Sequence, residues 1–215
     1  EAGVPLLGTG LEAIEAAEDR GQFSAILKDL GVSQPEGGAV RSAEEALKLG
    51  EKLGYPLMVR PSFVIGGLAM ALVESEEDLK SVLSLAFEAM PGQSVLVDRF
   101  VVGTEYELDA VCDGGDILVP GIFEHLDPAG IHSGDSMAVF PDLSLSPAKR
   151  EEMMRVVGSI AEALDVKGLL NVQFVESAGK LYVIEANPRA SRTVPISGKL
   201  TGLPLVDLSV KVAMG

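Results

Sequence analysis

The chain has 215 residues and a formal net charge of −15, and its length suits one large domain or two small ones. A composition of 47% apolar and 23% charged residues excludes an extended disordered chain, and no apolar run approaches the roughly 18 residues of a membrane span. The acidic excess excludes a fold-wide basic surface for a nucleic-acid backbone and disfavours binding to an anionic lipid surface. A small anion such as a nucleotide would need a local group of Arg, Lys, backbone N–H groups and metal.

The cysteine content and the N-terminal sequence bear on the cellular context. Cys112 is the sole cysteine, which excludes an intrachain disulfide and suits a reducing compartment. No basic segment precedes an apolar one at the start, so no signal peptide is expected. We expect a cytoplasmic protein, and the strand-like opening "AGVPLLGT" suggests a segment of a longer chain.

Helices and strands alternate in the first half of the sequence. Ser42 is a predicted N-cap with Glu45 three residues later, which is typical of a capping box. In chain order the predicted elements are a helical region over 10–30 with a break near Arg20, a helix over 42–54, a strand over 55–62, a glycine loop over 63–67, a strand over 68–74, a helix over 75–90 and a strand over 94–100.

The second half predicts two hairpins around a long helix. Residues 104–126 form one hairpin at the Asp113-Gly114-Gly115 turn, and residues 169–189 form another near Gly179. The helix over 146–166 is capped by Ser146, and a further apolar-periodic helix covers 204–215. Helices mixed with hairpins predict an α+β fold with a largely antiparallel sheet.

The hairpin over 169–189 carries the strongest functional pattern. Because side chains alternate between the two faces of a strand, every second residue shares a face. The predicted sets are Asn171, Gln173 and Val175 on the first strand, and Val183, Glu185 and Asn187 on the second. A turn near Gly179 places Gln173 opposite Glu185 and Asn171 opposite Asn187. Amide and carboxylate oxygens are the ligands that Mg²⁺ and Mn²⁺ prefer when phosphates complete the shell. The alternative is a solvated polar face.

Arginines and glycines nearby are suited to phosphate binding. Arg189 and Arg192 follow the hairpin, and each guanidinium offers a planar fork of donors; the alternative is neutralisation of nearby carboxylates. Arg60 precedes Gly66-Gly67, where the backbone can approach phosphates closely. This spacing matches no standard phosphate loop, so a plain tight turn is the alternative.

The remaining polar residues carry weaker signals. Glu105, Glu107 and Asp109 share one strand face, which is interpreted as solvated, although Glu105 could bind a ribose hydroxyl pair. His125 and the loop residue His132 are interpreted as structural rather than catalytic. Cys112 lies in a predicted strand with no Cys/His metal spacing and is interpreted as core.

Several segments occur in an order typical of one family: "RPSFVIGG", "EHLDPAGIHSGDS", "NVQF", "VIEANPRASRTVP" and "SGKLTGLPL". Together they resemble an ATP-grasp domain of the large subunit of carbamoyl-phosphate synthetase, with coverage nearly end to end. The segments "GGLAM" and "SRTVP" are more similar to the second half of that subunit than to the first. In this family the second half phosphorylates carbamate and the first half phosphorylates bicarbonate. The resemblance implies an ATP-grasp fold with a lead-in over 1–19, a smaller lid subdomain over 20–95 and a larger subdomain over 96–215.

The resemblance also implies roles for individual residues. ATP would lie between the smaller and the larger subdomain, with Mg²⁺ or Mn²⁺ on its phosphates and K⁺ as a further ion. The implied nucleotide ligands are Arg60, Gly66, Gly67, Arg99, Val101, Glu105, Gly130, Ile131, His132, Ser133, Gln173 and Glu185. The implied metal ligands are Gln173, Glu185 and Asn187, and the implied catalytic residues are Arg189 and Arg192.

The implied activity is an ATP-dependent carbon–nitrogen ligase that makes carbamoyl phosphate for arginine or pyrimidine biosynthesis. Its partners would be the rest of the large subunit and a glutaminase small subunit that supplies ammonia, with neither nucleic acid nor membrane. Leu68 stands where the family's second half commonly has Arg, which favours a module with impaired catalysis as one alternative. A biotin-carboxylase-like ATP-grasp ligase is another.

Overall fold

A computed structural model describes residues 6–61, 70–89, 91–129 and 136–215. These residues contain seven helices and ten strands. In chain order they are α1 (Leu11–Glu18), α2 (Arg20–Asp29), β1 (Gly37–Val40), α3 (Ala43–Leu53), β2 (Leu57–Pro61), β3 (Ala71–Val73), α4 (Glu76–Ala89), β4 (Val95–Arg99), β5 (Thr104–Asp113), β6 (Ile117–Leu118), β7 (Ile122–His125), β8 (Ala138–Val139), α5 (Pro147–Ala163), β9 (Lys167–Ser177), β10 (Lys180–Asn187), α6 (Val194–Thr201) and α7 (Leu205–Met214).

Side-chain caps fix the starts of four helices. Ser42, Ser75 and Ser146 each accept a hydrogen bond from the backbone N–H three residues later, at 3.2, 3.1 and 3.3 Å. Asp19 accepts one from the Gln22 N–H at 2.8 Å and separates α1 from α2. These bonds satisfy N–H groups that have no partner within the helix. The predicted caps at Ser42 and Ser146, and the break near Arg20, are confirmed.

The described residues divide into two compact units. The first takes its residues from Glu1–Gln34, Gly103–Asp127 and Met137–Gly215, and the second from Pro35–Val102 and Pro128–Ser136. This division differs from the expected boundaries at both ends of the smaller subdomain. Phe23 of α2 is buried in the main core of the first unit, and β4 stays whole in the second unit because it pairs with both β1 and β2.

The first unit is built on an antiparallel sheet in the order β10-β9-β5-β7-β8, with β6 paired to β5. One face of this sheet forms the core with α5, and Leu108, Val172 and Phe174 meet Met153 and Ile160 there. Cys112 also lies in this core, as predicted, and burial raises the pKa of its thiol to about 12.

The second unit has a four-stranded antiparallel sheet in the order β1-β4-β2-β3. Apolar residues of α3 and α4, including Leu53, Leu79 and Leu83, pack with Leu57 and Val97 of the sheet. The predicted α+β class with largely antiparallel pairing is confirmed in both units. Strand β1 was not predicted, because "GGAV" has too few strand-forming residues to give a pattern.

None of the helices in the described part of the chain combines the length and the apolar character that crossing a membrane requires.

Candidate functional site

Two lines of polar side chains cross one face of the sheet in the first unit, opposite the face that packs against α5. They stand in register on β5, β9 and β10: Glu107, Gln173 and Glu185 in one line, and Asp109, Asn171 and Asn187 in the next. We call these six side chains the polar face. Because strand residues alternate sides, the intervening residues point into the apolar core.

A shift of register brings Glu185 onto the polar face. Val183 pairs with Phe174 and lies in the core, whereas Glu185 pairs with Gln173. The ladder slips by one residue between Val183 and Glu185, as in a β-bulge, which reverses the alternation at that point. The predicted facing of Gln173 with Glu185, and of Asn171 with Asn187, is confirmed. The prediction that Val183 shares their face is wrong, for this reason.

The carboxylate of Glu185 is linked to Arg189 through Asn187. The Asn187 amide nitrogen donates to Glu185 Oε1 at 2.9 Å, and the Asn187 amide oxygen accepts from Arg189 Nη2 at 3.2 Å. The half-buried Gln173 completes a set of amide and carboxylate oxygens. An amide oxygen has two lone pairs, so Asn187 can bind Arg189 and still serve a cation.

This donor set fits a hard divalent cation that also binds phosphate oxygens. Within the ranges that the structure describes, no three His, Cys, Asp or Glu side chains are placed to hold a metal. Glu185 therefore lacks neighbouring carboxylates of that kind, and the two amides and a bound phosphate would supply the remaining oxygens.

Glu107 and Asp109 of β5 are not solvated, which corrects the interpretation from the sequence for these two acids. Glu107 is 6% exposed and Asp109 is 2% exposed. The buried amide of Asn171 donates to Glu107 Oε1 at 2.8 Å and to Asp109 Oδ1 at 3.0 Å. Buried carboxylates need such donors, because desolvation without a partner costs several kcal/mol. Sequence spacing gave no sign that donors from distant segments cover this strand.

The two buried carboxyls have pKa values that move in opposite directions. Burial raises the pKa of Glu107, but hydrogen bonds from His125, Asn171 and Thr193 outweigh it and leave the pKa below its ordinary value. Burial raises the pKa of Asp109, and its hydrogen bonds from Ser191, Thr193 and Asn171 do not fully offset that. Separated pKa values among neighbouring acids are common at functional sites.

His125 connects the polar face to Glu105. Its Nε2 lies 3.5 Å from Glu107 Oε2, and its Nδ1 lies 3.9 Å from Glu105 Oε2. The imidazole is almost fully buried, while Glu105 keeps 20% of its side-chain surface exposed. Glu105 is thus accessible at the strand start, where the resemblance implies a ribose contact.

The segment over residues 188–193 joins β10 to α6 and carries both predicted catalytic arginines. Arg189 and Arg192 are exposed. Between and after them, Ser191 and Thr193 donate from their hydroxyls to Asp109 Oδ1 and Oδ2, each at 2.6 Å. Ser191 and Thr193 were not among the predicted site residues, since no local pattern pairs them with a strand about 80 positions earlier.

Three further predicted ligands belong to the second unit. Arg60 donates from Nη2 to the buried Asp98 carboxylate at 2.5 Å. Arg99 donates from Nη2 to the Leu53 carbonyl at the end of α3, at 2.6 Å, so its charge lies where the helix dipole favours a cation. Val101 is half-buried. The strand pairing does not bring Arg60 and Arg99 together, because Arg60 pairs with Leu96 and Arg99 with Leu57.

The other predicted ligands lie outside the described residues: Gly66, Gly67, Gly130, Ile131, His132 and Ser133, together with Leu68.

The fold is that of the ATP-grasp proteins. The biotin carboxylase–beta-gamma-ATP complex from Campylobacter jejuni superposes with a TM-score of 0.82 at 23% identity, over 97% of this chain and 48% of that one. The biotin carboxylase domain of 2-oxoglutarate carboxylase from Hydrogenobacter thermophilus, solved with MgADP, ADP and bicarbonate, gives 0.80 at 23% identity, over 97% and 48%. The predicted α+β ATP-grasp class is confirmed, and similarity at this level of identity shows the fold alone.

The chain belongs to the family described as "Carbamoyl-phosphate synthase L chain, ATP binding domain", which it matches over residues 19–215. It is 48% identical over 214 residues to the carbamoyl phosphate synthase large chain of Thermomicrobium roseum. It is 45% identical over 215 residues to that of Clostridium perfringens strain SM101. All of this chain is covered in each case, but it spans only 20% of either relative.

Proposed function

We propose that this chain is the ATP-grasp unit of a carbamoyl-phosphate synthase large chain, and that it phosphorylates carbamate with ATP and a divalent cation. The observation that supports this most directly is a chain of neighbouring side chains: Gln173 faces Glu185, and Asn187 links Glu185 to Arg189 by hydrogen bonds. It joins oxygen ligands for a cation to a guanidinium that fits a phosphoryl group. Family membership and 45–48% identity to large chains over the full length support the assignment.

The proposed reaction is an in-line phosphoryl transfer. A carbamate oxygen attacks the γ-phosphorus of ATP, a new P–O bond forms, the bond to the β–γ bridging oxygen breaks, and carbamoyl phosphate and ADP result. Such transfers depend on positioning and charge neutralisation rather than on covalent chemistry by the protein. A divalent cation bound at Gln173, Glu185 and Asn187 would neutralise charge on the phosphates.

The chain's own residues supply the rest. Arg189 and Arg192 orient the transferring phosphoryl group and balance its charge. Arg60, whose guanidinium is bound by the Asp98 carboxylate, is a further phosphate ligand that the resemblance implies. Glu105 accepts hydrogen bonds from the ribose hydroxyls, and the resemblance implies Arg99 and Val101 as adenine ligands. These contacts let a chain of net charge −15 hold a nucleotide.

The segments "GGLAM" and "SRTVP", which are similar to the second half of the large subunit, support the carbamate step over the bicarbonate step. Two partial reactions of the intact polypeptide that contains this chain distinguish the carbamate step from the bicarbonate step. One is ATP formation from Mg·ADP and carbamoyl phosphate. The other is bicarbonate-dependent ADP formation without ammonia.

Glu185→Ala tests the assignment in both partial reactions, with Glu151→Ala on the exposed surface of α5 as the matched control. The proposal expects Glu185→Ala to abolish ATP formation and to spare the bicarbonate-dependent reaction, while Glu151→Ala changes neither. Loss of the bicarbonate-dependent reaction alone would assign the chain to the bicarbonate step. Loss of neither would leave a nucleotide-binding module, the alternative that Leu68 favours.

A further inference from the structure

A closed ring of short contacts ties the segment over residues 188–193 to strand β5. Ser191 Oγ lies 2.6 Å from Asp109 Oδ1, Thr193 Oγ1 lies 2.6 Å from Asp109 Oδ2, and the two hydroxyl oxygens lie 2.7 Å apart. The Thr193 backbone N–H also donates to Ser191 Oγ at 3.1 Å. The ring therefore fixes both ends of the short stretch that contains Arg192.

Beyond the proposed function and resting on it, we infer that Asp109 is a positioning residue for phosphoryl transfer, which holds the segment over residues 188–193, and with it Arg189 and Arg192, in place against the polar face. Asp109 is almost fully buried at the centre of the sheet. It is thus a rigid anchor, whereas both arginines are exposed on a segment without helix or strand structure. Sites held by locked supporting residues keep the precision that catalysis needs.

The protons of the ring indicate which replacement can stand in for Asp109. Each hydroxyl carries one proton, yet the ring has three contacts, so an ionised carboxylate leaves one contact without a proton. A donor in the position of Oδ2 would complete it: that group would donate to Thr193, Thr193 would donate to Ser191, and Ser191 would donate to the group in the position of Oδ1.

Asparagine at position 109 reproduces the same ring. Its amide nitrogen would donate to Thr193 Oγ1, and its amide oxygen would accept from Ser191 and from the Asn171 amide, which lies 3.0 Å from Asp109 Oδ1. Alanine removes all of these contacts. Asp109→Asn is therefore the conservative variant and Asp109→Ala the disruptive one.

The first readout is independent of activity. Trypsin cleaves after Arg189 and Arg192, and cleavage requires the segment to leave its held conformation. In the intact polypeptide we expect Asp109→Ala to be cut at these two bonds about tenfold faster than the wild type, and Asp109→Asn to be cut at the wild-type rate. Mass spectrometry assigns the bonds. Equal cleavage of all three proteins would overturn the inference.

The second readout is turnover. Asp109→Ala should lower kcat for ATP formation from Mg·ADP and carbamoyl phosphate by about 100-fold with little change in the KM for ADP, and Asp109→Asn should restore kcat to within about threefold. The control is Asp142→Ala. Asp142 is also a buried acid of the first unit, but its carboxylate accepts from Arg150 Nη2 at 2.6 Å rather than from this segment.

The control and one further variant make the outcomes separable. A comparable kcat loss in Asp142→Ala would overturn the inference, because the effect would then follow stability alone. If Arg192→Ala lowers kcat while Asp109→Ala does not, the positioning role is contradicted and the proposed function stands. If Arg192→Ala leaves kcat unchanged, the proposed role of the arginine fails, and the trypsin experiment still decides whether Asp109 holds the segment.

Discussion

Glu185 lies directly opposite Gln173 because the β9–β10 ladder shifts by one residue after Val183. The same shift lets Val183 remain in the core beside Phe174 while Glu185, only two positions later, reaches the polar face. A regular strand would place both on one side. The irregularity therefore re-aims one side chain without breaking the sheet, a role that bulges often play beside functional sites.

Asn171 is the donor that allows two acids to be buried side by side, and Asn171→Leu should expose that role. Leucine fits the volume but removes the amide that donates to Glu107 Oε1 and Asp109 Oδ1. We expect the free energy of unfolding to fall by about 3 kcal/mol, because two buried carboxylates lose a donor. Denaturant unfolding measures this change. A loss below about 0.5 kcal/mol, typical of neutral surface positions, would contradict it.

Glu107 and Asp109 should make opposite contributions to the pH dependence of stability. The pKa of Glu107 is lowered on folding, so its contribution is present above about pH 4.3 and is lost as the pH falls through its folded pKa. The pKa of Asp109 is raised, so its contribution is full below about pH 3.9 and is lost as the pH rises through its folded pKa.

Denaturant unfolding of Glu107→Gln and Asp109→Asn between about pH 3 and pH 7 tests this sign. As the pH rises, the free energy of unfolding of Asp109→Asn should increase relative to that of the wild type. That of Glu107→Gln should decrease relative to the wild type as the pH rises through the folded pKa of Glu107. Parallel curves for all three proteins would show that neither carboxyl titrates differently in the folded chain.

Removing one partner of the Arg60–Asp98 pair should lower the free energy of unfolding much more than replacing both partners by apolar residues. Asp98 is 1% exposed and Arg60 is 19% exposed. Asp98→Ala leaves the guanidinium in a largely buried place without this carboxylate, and we expect a loss of about 3 kcal/mol in the free energy of unfolding. The double variant Arg60→Met, Asp98→Leu should lose much less, since it removes both charges. The free energy of unfolding is measured by denaturant unfolding. The account would be contradicted if the double variant lost as much of it as Arg60→Met and Asp98→Leu lose together as separate single variants.

Local signals predicted much of the fold. The cap residues, the two hairpins and the facing of Gln173 with Glu185 follow from side-chain chemistry and alternation within short stretches of sequence. The turn at Ala178-Gly179 is of this kind, because both residues have positive φ, at 49° and 80°, which matches a tight hairpin.

Long-range contacts account for what the sequence did not predict. Glu107 and Asp109 have the pattern of a solvated strand face, but both are buried, and their hydrogen-bond donors Asn171, Ser191 and Thr193 come from later segments. In the same way, α2 has the spacing of an ordinary amphipathic helix. Nothing local shows that Phe23 joins the core beneath β5 and β9 rather than the smaller unit.

The most direct test of the central claim is the Mg²⁺ dependence of ATP formation from ADP and carbamoyl phosphate by the intact polypeptide, compared between the wild type and Glu185→Gln. If Glu185 holds the cation, the apparent affinity for Mg²⁺ falls by about tenfold or more, because an ionised ligand is replaced by a neutral one of the same shape. An unchanged Mg²⁺ dependence in Glu185→Gln would show that the polar face does not bind the cation.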